Sequence, residues 1–276
     1  MKKILTIIVT AILSITSLFG LTACGGDAIY VDTNAFFAPF EYYQGTEIVG
    51  VDIDIMKKVG QKLGKKVVFE NTDFDVIIDN VASGERYDCG AAGITITDAR
   101  ALRVDFSTPY YTSVQYVIMK TTDDSIAVKE ATDGTTCVFW ADLAGKKIGV
   151  QRDTTGHIYA DIEINGDGPD YPGELNGANC VLTPYDNAQL AVDAIGSNQI
   201  DVVIVDKLPA EYICNSNTGY KCFALYYDVD TATEEQYAIC VTKGNTELLN
   251  AINQVLAELG ETGINALVSA HLGLAN

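Results

Sequence analysis

Gly93-Ile-Thr-Ile-Thr-Asp98-Ala-Arg100-Ala-Leu-Arg103-Val-Asp105-Phe-Ser-Thr-Pro-Tyr-Tyr111 is the stretch on which the fold turns. The mostly apolar run Cys89 to Ile96, which leads into it, predicts a buried strand. Thr97 and Asp98, turn and helix-cap residue types, end that run. Arg100 then falls in the first turn of a short helix, just past the strand end. Open α/β sheets bind small ligands outside the carboxyl ends of their strands. A guanidinium placed there can grip a carboxylate with two parallel hydrogen bonds, flanked by the Gly93 amide and the Thr95 hydroxyl. A solvated helix arginine is the other reading of Arg100.

Around this stretch, strand and helix signals alternate along the whole chain, which makes the class α/β. Ile29 to Thr33 predicts a short strand, followed by the aromatic loop Phe36-Phe37-Ala38-Pro39-Phe40. Asp52 is placed to cap a helix whose apolar face is Ile55, Met56, Val59 and Leu63, and Gly64 stops it. Val67 to Glu70 is the next strand, and Phe74 to Ala82 a helix ended near Gly84. A second series starts near Leu143. It has strands at Ala144 to Gln151, Val181 to Pro184 and Ile200 to Val205, with a helix from Ala188 to Ile195. The late helix Glu247 to Leu259 carries Leu248, Ile252, Val255 and Leu259 on one face. Asn80-Val-Ala-Ser-Gly-Glu-Arg-Tyr-Asp88 echoes Asp193-Ala-Ile-Gly-Ser-Asn-Gln-Ile-Asp201, each read as helix, turn, Asp and strand. Two similar lobes would then each bring one polar group to a strand end, Arg100 and Asp206.

The N-terminus points outside the cytoplasm. Lys2-Lys3 is followed by an almost wholly apolar run, Ile4 to Leu21, the pattern of a signal peptide over 1–23. Leu21-Thr22-Ala23-Cys24 resembles a lipobox, which implies cleavage before Cys24 and lipidation on it. Residues 24–28 would be a short tether, and two acyl chains make a stable anchor. The 276 residues carry a formal charge of −19, deepened by two when Lys2 and Lys3 leave with the leader. Such a charge argues against nucleic acid and against electrostatic attachment to anionic lipid. Seven cysteines become six after Cys24 is lipidated, an even number that permits disulfides outside the cytoplasm. Cys214 and Cys222 flank a polar stretch and form the candidate pair. Cys137 and Cys180 are a weaker one, and Cys89 and Cys240 read as buried thiols. No C-x-x-C spacing or paired histidine suggests a metal, and no cofactor is expected.

Several further segments appear in a fixed order: Phe37-Ala-Pro-Phe-Glu41, Gly50-Val-Asp52, Asp73-Phe74, Gly145-Lys-Lys-Ile-Gly-Val150, Thr154-Thr155 and Val205-Asp206. With the opening stretch they resemble the polar amino acid-binding proteins of ABC transporters, the family 3 extracellular solute-binding proteins. The resemblance spans nearly all of residues 29–270. It implies a two-lobed periplasmic-binding-protein-like fold of type II, with lobes joined by two crossover strands near Tyr111–Gln115 and Thr233–Tyr237. Lobe 1 would be 29–112 plus 236–276, and lobe 2 would be 113–235. It also implies that Asp206 takes a ligand's ammonium, where spacing alone fits a helix cap as well. Phe37 and Phe74 would pack on the ligand's side chain, though such aromatics are ordinarily core. Thr95 and the amides at Thr154 and Thr155 would add donors for its carboxylate.

The departures are informative. Asn34 stands where relatives that bind basic or amide side chains often have Asp; Asn brings a donor and an acceptor but no charge, which disfavours lysine or arginine and leaves neutral polar or apolar amino acids open. Asp153 replaces a glycine common before the Thr pair. Residues 121–139 look like an insertion, with Trp140 packing just after it. The expected protein is a monomeric, lipid-anchored receptor for a free amino acid that delivers it to ABC permease subunits. It is not expected to be an enzyme. The alternatives are a cyclohexadienyl dehydratase-like enzyme on the same fold, using cleft acids such as Glu41, Asp75 or Asp206, or an amino acid-sensing lipoprotein without transport.

Overall fold

A computed structural model of the chain describes residues 28–275; the leader and Cys24 lie outside them. Two sheets divide it into two lobes. The first runs in the order Lys66–Asn71, Ala28–Thr33, Cys89–Gly90, Cys240–Thr242 and Val104–Phe106. Ala28–Thr33 is parallel to both its neighbours. Parallel neighbours need crossovers, and the helices Val51–Leu63 and Phe74–Ser83 supply them. The second sheet begins with the parallel strands Val181–Tyr185, Lys147–Gln151 and Val202–Asp206, then continues through Tyr111–Lys120 and Tyr220–Tyr226. Residues 121–139 form its far edge, adding Lys129–Glu130 and Thr136–Phe139.

The chain passes between the sheets on two strands lying side by side. Glu234–Tyr237 pairs antiparallel with the start of Tyr111–Lys120, setting Glu235 opposite Ser113 and Tyr237 opposite Tyr111.

The faint repeat has a structural counterpart. Asp88 accepts the Tyr30 amide at 2.8 Å and returns its own amide to the Tyr30 carbonyl at 2.9 Å. Asp201 does the same with Lys147, at 2.8 Å in both directions. In each lobe an aspartate after a helix locks the start of the neighbouring strand. This fixes the register that carries the strand ends to the cleft.

Three expectations change. The strand expected over Cys89 to Ile96 is regular only at Cys89–Gly90. Beyond it Gly93 takes a φ of +54°, and a Cβ there would lie 2.7 Å from the Phe37 ring, so the backbone turns and only glycine fits. Thr95 rejoins the crossing strand by a single bridge to Tyr237. Asp52 does not cap its helix: Gly50 holds the cap position, and the buried Asp52 carboxylate accepts from Gly93 N at 2.9 Å and from Tyr110 Oη. The late helix extends over Thr246–Ala275 with a break at Gly260. Its Leu248, Ile252, Val255 and Leu256 pack with Val51, Ile55, Met56 and Val59 in one apolar cluster. Fully burying each such side chain contributes about 1.5–3 kcal/mol.

Cys214 on the helix Lys207–Ser216 and Cys222 on Tyr220–Tyr226 are thiols here, and the expected bridge is not formed. They nevertheless hydrogen-bond to each other, which holds the Cys214 thiol below its ordinary pKa. Oxidised extracytoplasmic protein should therefore carry a Cys214–Cys222 bond, contributing roughly 2–3 kcal/mol for so short a loop. Mass spectrometry of unreduced peptides checks it, and two free thiols would refute it. Cys137 and Cys180 do not pair: Cys137 is buried among Ala131, Ala224 and Tyr226, while Cys180 donates weakly to the Leu143 carbonyl.

Candidate functional site

The cleft lies between the carboxyl ends of both sets of parallel strands. Asn34 follows the strand Ala28–Thr33, and Phe37 and Glu41 lie on the hairpin Phe36–Phe37 and Glu41–Gln44. Phe74 opens its helix, and Gly93 and Thr95 form the irregular turn. From the other lobe come Gln151 at the end of Lys147–Gln151, Thr154 and Thr155 at the start of Thr155–Asn165, and Asp206 at the end of Val202–Asp206. All of these line one cavity. Eight of the nine ligand-site residues expected from the sequence are thus brought together, and the ninth, Arg100, lines a neighbouring pocket with Phe74, Asp75 and Asp153.

Arg100 is 8% exposed and lies over the Phe74 ring, 5.4 Å from its centroid. Nη1 donates to the Thr95 carbonyl at 2.9 Å, and Nη2 crosses the cleft to the Asp153 carbonyl at 2.7 Å. It is therefore not a solvated arginine. Burial pulls its pKa down, opposed first by Glu235. Asp153 reaches this position at a φ of +57°, a left-handed conformation that explains why glycine is common there and that aspartate tolerates.

Other bonds also cross between lobes. Gln151 Nε2 donates to Asn34 Oδ1 at 3.1 Å, the Thr95 and Thr155 hydroxyls are 3.3 Å apart, and Arg152 faces Asp75 at 3.7 Å. The cavity volume is about 10 Å³, room for about one water-sized sphere. The lobes are shut, and a small molecule enters only when they part.

Individual atoms differ from the expected roles. The Gly93 amide is committed to Asp52 and so is not a free carboxylate donor. The hydroxyls of Thr95 and Thr155 both donate to Glu235. Thr154 caps its helix by accepting from the His157 amide, and its hydroxyl donates to the Gln151 carbonyl. Its helix leaves first-turn amides without intrahelical acceptors. Asp206 occupies a cap position, but its side chain makes no capping bond. Gln115 Nε2 donates to it instead. Asn34 spends one amide hydrogen on the Thr72 carbonyl at 2.7 Å. Asp75 lies outside this cavity, beside Arg152.

Four acids are buried in or against the cleft. Burial pushes Asp52 up to about 6, opposed by its bonds from Gly93 and Tyr110. Burial, with Glu235 as neighbour, pushes Asp206 well above the usual carboxylate range. Burial and the nearby Asp52 and Asp206 do the same to Glu41. Glu41 is fully buried, and neither of its carboxylate oxygens has a partner.

Sequence reasoning did not place Gln115, Gln151 or Glu235 in the ligand set. Gln115 and Glu235 lie on crossing strands, where side chains alternate in direction. Glu234-Glu235-Gln236 offers no apolar residue to mark which face is inward.

The model of the bacterial extracellular solute-binding proteins, family 3, matches residues 29–272. The arginine-binding extracellular protein ArtP of Bacillus subtilis is 28% identical over 95% of this chain and 94% of its own. An ancestral arginine-binding protein solved with glutamine bound superposes with a TM-score of 0.72 at 32% identity, over 90% of this chain and 99% of that one. The amino acid ABC transporter substrate-binding protein AbpA of Streptococcus pneumoniae, solved with L-arginine, gives 0.74 at 26% identity, over 90% and 96%. With the family matched over almost every described residue and the two-lobed fold shared, the chain belongs to the family 3 bacterial extracellular solute-binding proteins.

Proposed function

We propose that this protein is an extracytoplasmic receptor that closes its lobes on an amino acid with a cationic side chain and presents it to an ABC permease. Glu41 carries the reading. A buried carboxylate without partners is costly, and this one lines the cavity alongside Phe37 and Phe74. A guanidinium or ammonium at the end of a ligand side chain would satisfy it. The preference for neutral ligands drawn from Asn34 is replaced on this ground, since the missing acid at position 34 is supplied from position 41. The names of ArtP and AbpA's bound ligand agree in chemistry.

The remaining roles follow the geometry. Arg100 and the first-turn amides at Thr155 receive the α-carboxylate, Asp206 receives the α-ammonium, and Phe37 and Phe74 flank the side chain. The ligand touches both lobes at once, so it shifts the open–closed equilibrium by the free energy of contacts made only when shut. Lipidation on Cys24 would tether this monomer to the membrane beside its permease.

A carboxyl with a raised pKa in a cleft also suits a general acid, which keeps the dehydratase reading open to test. One experiment separates the outcomes: a thermal-shift screen against all the amino acids, with the ligand recovered and analysed. Binding raises stability by RT ln(1 + [L]/Kd). Arginine or lysine should give the largest shift and be recovered unchanged. A larger shift from a neutral amino acid would overturn the cationic assignment, and a dehydrated product would overturn the receptor.

A further inference from the structure

Asp206 and Glu235 meet at the floor of the cleft, 7% and 4% exposed. Asp206 ends a strand of the second lobe, and Glu235 lies on the crossing strand Glu234–Tyr237. The side chain of Gln115, from the other crossing strand, donates through the same nitrogen, Nε2, to Asp206 Oδ1 and to Glu235 Oε1. One amide group therefore holds both carboxyls within hydrogen-bonding range of each other. Burial, with Glu235 alongside, pushes Asp206 well above the usual carboxylate range, so the Asp206 carboxyl retains its proton.

Glu235 has a second effect. Its Oε2 accepts from Thr95 Oγ1 at 2.6 Å and from Thr155 Oγ1. With their hydrogens turned to Glu235, both hydroxyl oxygens offer only lone pairs elsewhere. One hydroxyl comes from each lobe. The floor of the cleft is thus made of acceptors, which suits an ammonium group and repels a carboxylate.

We propose that Glu235 is a second acid of the ammonium subsite, joined to Asp206 through Gln115, and that the pair gives up one proton in exchange for the ligand's ammonium. The inference rests on the amino acid receptor reading. The balance is simple: the carboxyl O–H bond breaks, the proton goes to solvent, and the ammonium enters intact. The charge of the cleft floor changes by minus one and plus one. The other titratable groups facing the pair are Arg100, Glu41, Tyr237, Tyr159 and Tyr227. The tyrosines are held above their ordinary range by burial and stay neutral. Arg100 stays charged, so Glu41 is the one neighbour that needs a control.

Carboxyl carbon NMR titration of the protein alone reads the pair directly. Asp206 should titrate above the ordinary carboxylate range, with a step that depends on the charge of Glu235. Glu235→Gln and Asp206→Asn should each remove the coupling, and Glu41→Gln should leave it. Calorimetry with L-arginine, in buffers of different ionisation heat, reads the exchange. Wild type should release about one proton more than Glu235→Gln, any proton lost from Glu41 being common to both, and its Kd should tighten correspondingly more steeply with pH up to the Asp206 step. Glu235→Gln should release fewer protons and flatten that dependence. Independent titration of the two acids in the ordinary range would overturn the pair. Binding of L-arginine with no proton released would overturn the exchange. Coupled titration with no amino acid binding would leave the pair standing and sink the receptor reading, and the exchange with it.

Discussion

Arg100→Ala should abolish micromolar binding of the amino acid. Truncating one partner of a buried ion pair costs ~3–5 kcal/mol, which is roughly two to three and a half decades of affinity. The site gives two reasons to expect the upper half of that range. The guanidinium is buried and stacked on Phe74, so no water replaces it easily. It also ties the Thr95 carbonyl of one lobe to the Asp153 carbonyl of the other, so its loss weakens closure as well as carboxylate capture. Arg100→Lys keeps the charge but not the planar fork and should lose most of the affinity too. Arg103→Ala is the control. Arg103 is half-exposed and pairs with the exposed Asp79, an interaction of about 0–1 kcal/mol. Calorimetry on the three variants decides the matter, and unaltered affinity in Arg100→Ala would remove its carboxylate role.

Glu41→Gln should separate recognition from stability. For a cationic amino acid, the same loss of a buried ionic partner predicts a drop of roughly two decades or more. A neutral amino acid should be affected little. The protein without ligand should be no less stable, because the wild-type carboxyl is buried without partners beside Asp52 and Asp206. A structural role would give the opposite pattern, a lower melting temperature with affinities unchanged in rank.

The pH dependence has a definite sign. Glu41, Asp52 and Asp206 all have folded-state pKa values raised above the usual carboxylate range. Between the unfolded and folded pKa the native state binds more protons, so stability falls as pH rises. The protein alone should lose stability from about pH 4 toward neutrality, with Asp52 contributing up to about 6. Glu41→Gln should flatten that decline. Melting curves across pH check both, and a wild-type stability that rises through this window would contradict the buried, unpaired acid.

Much of this protein is local in origin and was therefore legible in the chain. Helices were visible from the spacing of Ile55, Met56 and Val59, and from glycines at their ends, because side-chain period and the left-handed φ of Gly64 and Gly84 are properties of a few neighbouring residues. The echo ending at Asp88 and Asp201 is likewise visible in the chain, although the strand starts that these aspartates lock lie 58 and 54 residues away. Arg100, Thr155 and Asp206 could be singled out because turn and cap residue types stand beside them, and Asp206 does end a strand. The tertiary structure decided what those groups face. Asp52 reads as a cap until Gly93 and Tyr110 are brought to it from 41 and 58 residues away. Glu41 reads from sequence as one of several candidate cleft acids, and only burial shows it to be without partners. Glu235 is silent in sequence, since only the pairing of two strands 120 residues apart brings it beside Gln115 and Asp206. Burial and the charge of distant neighbours set the meaning of these acids, and both arise only when the chain has closed on itself.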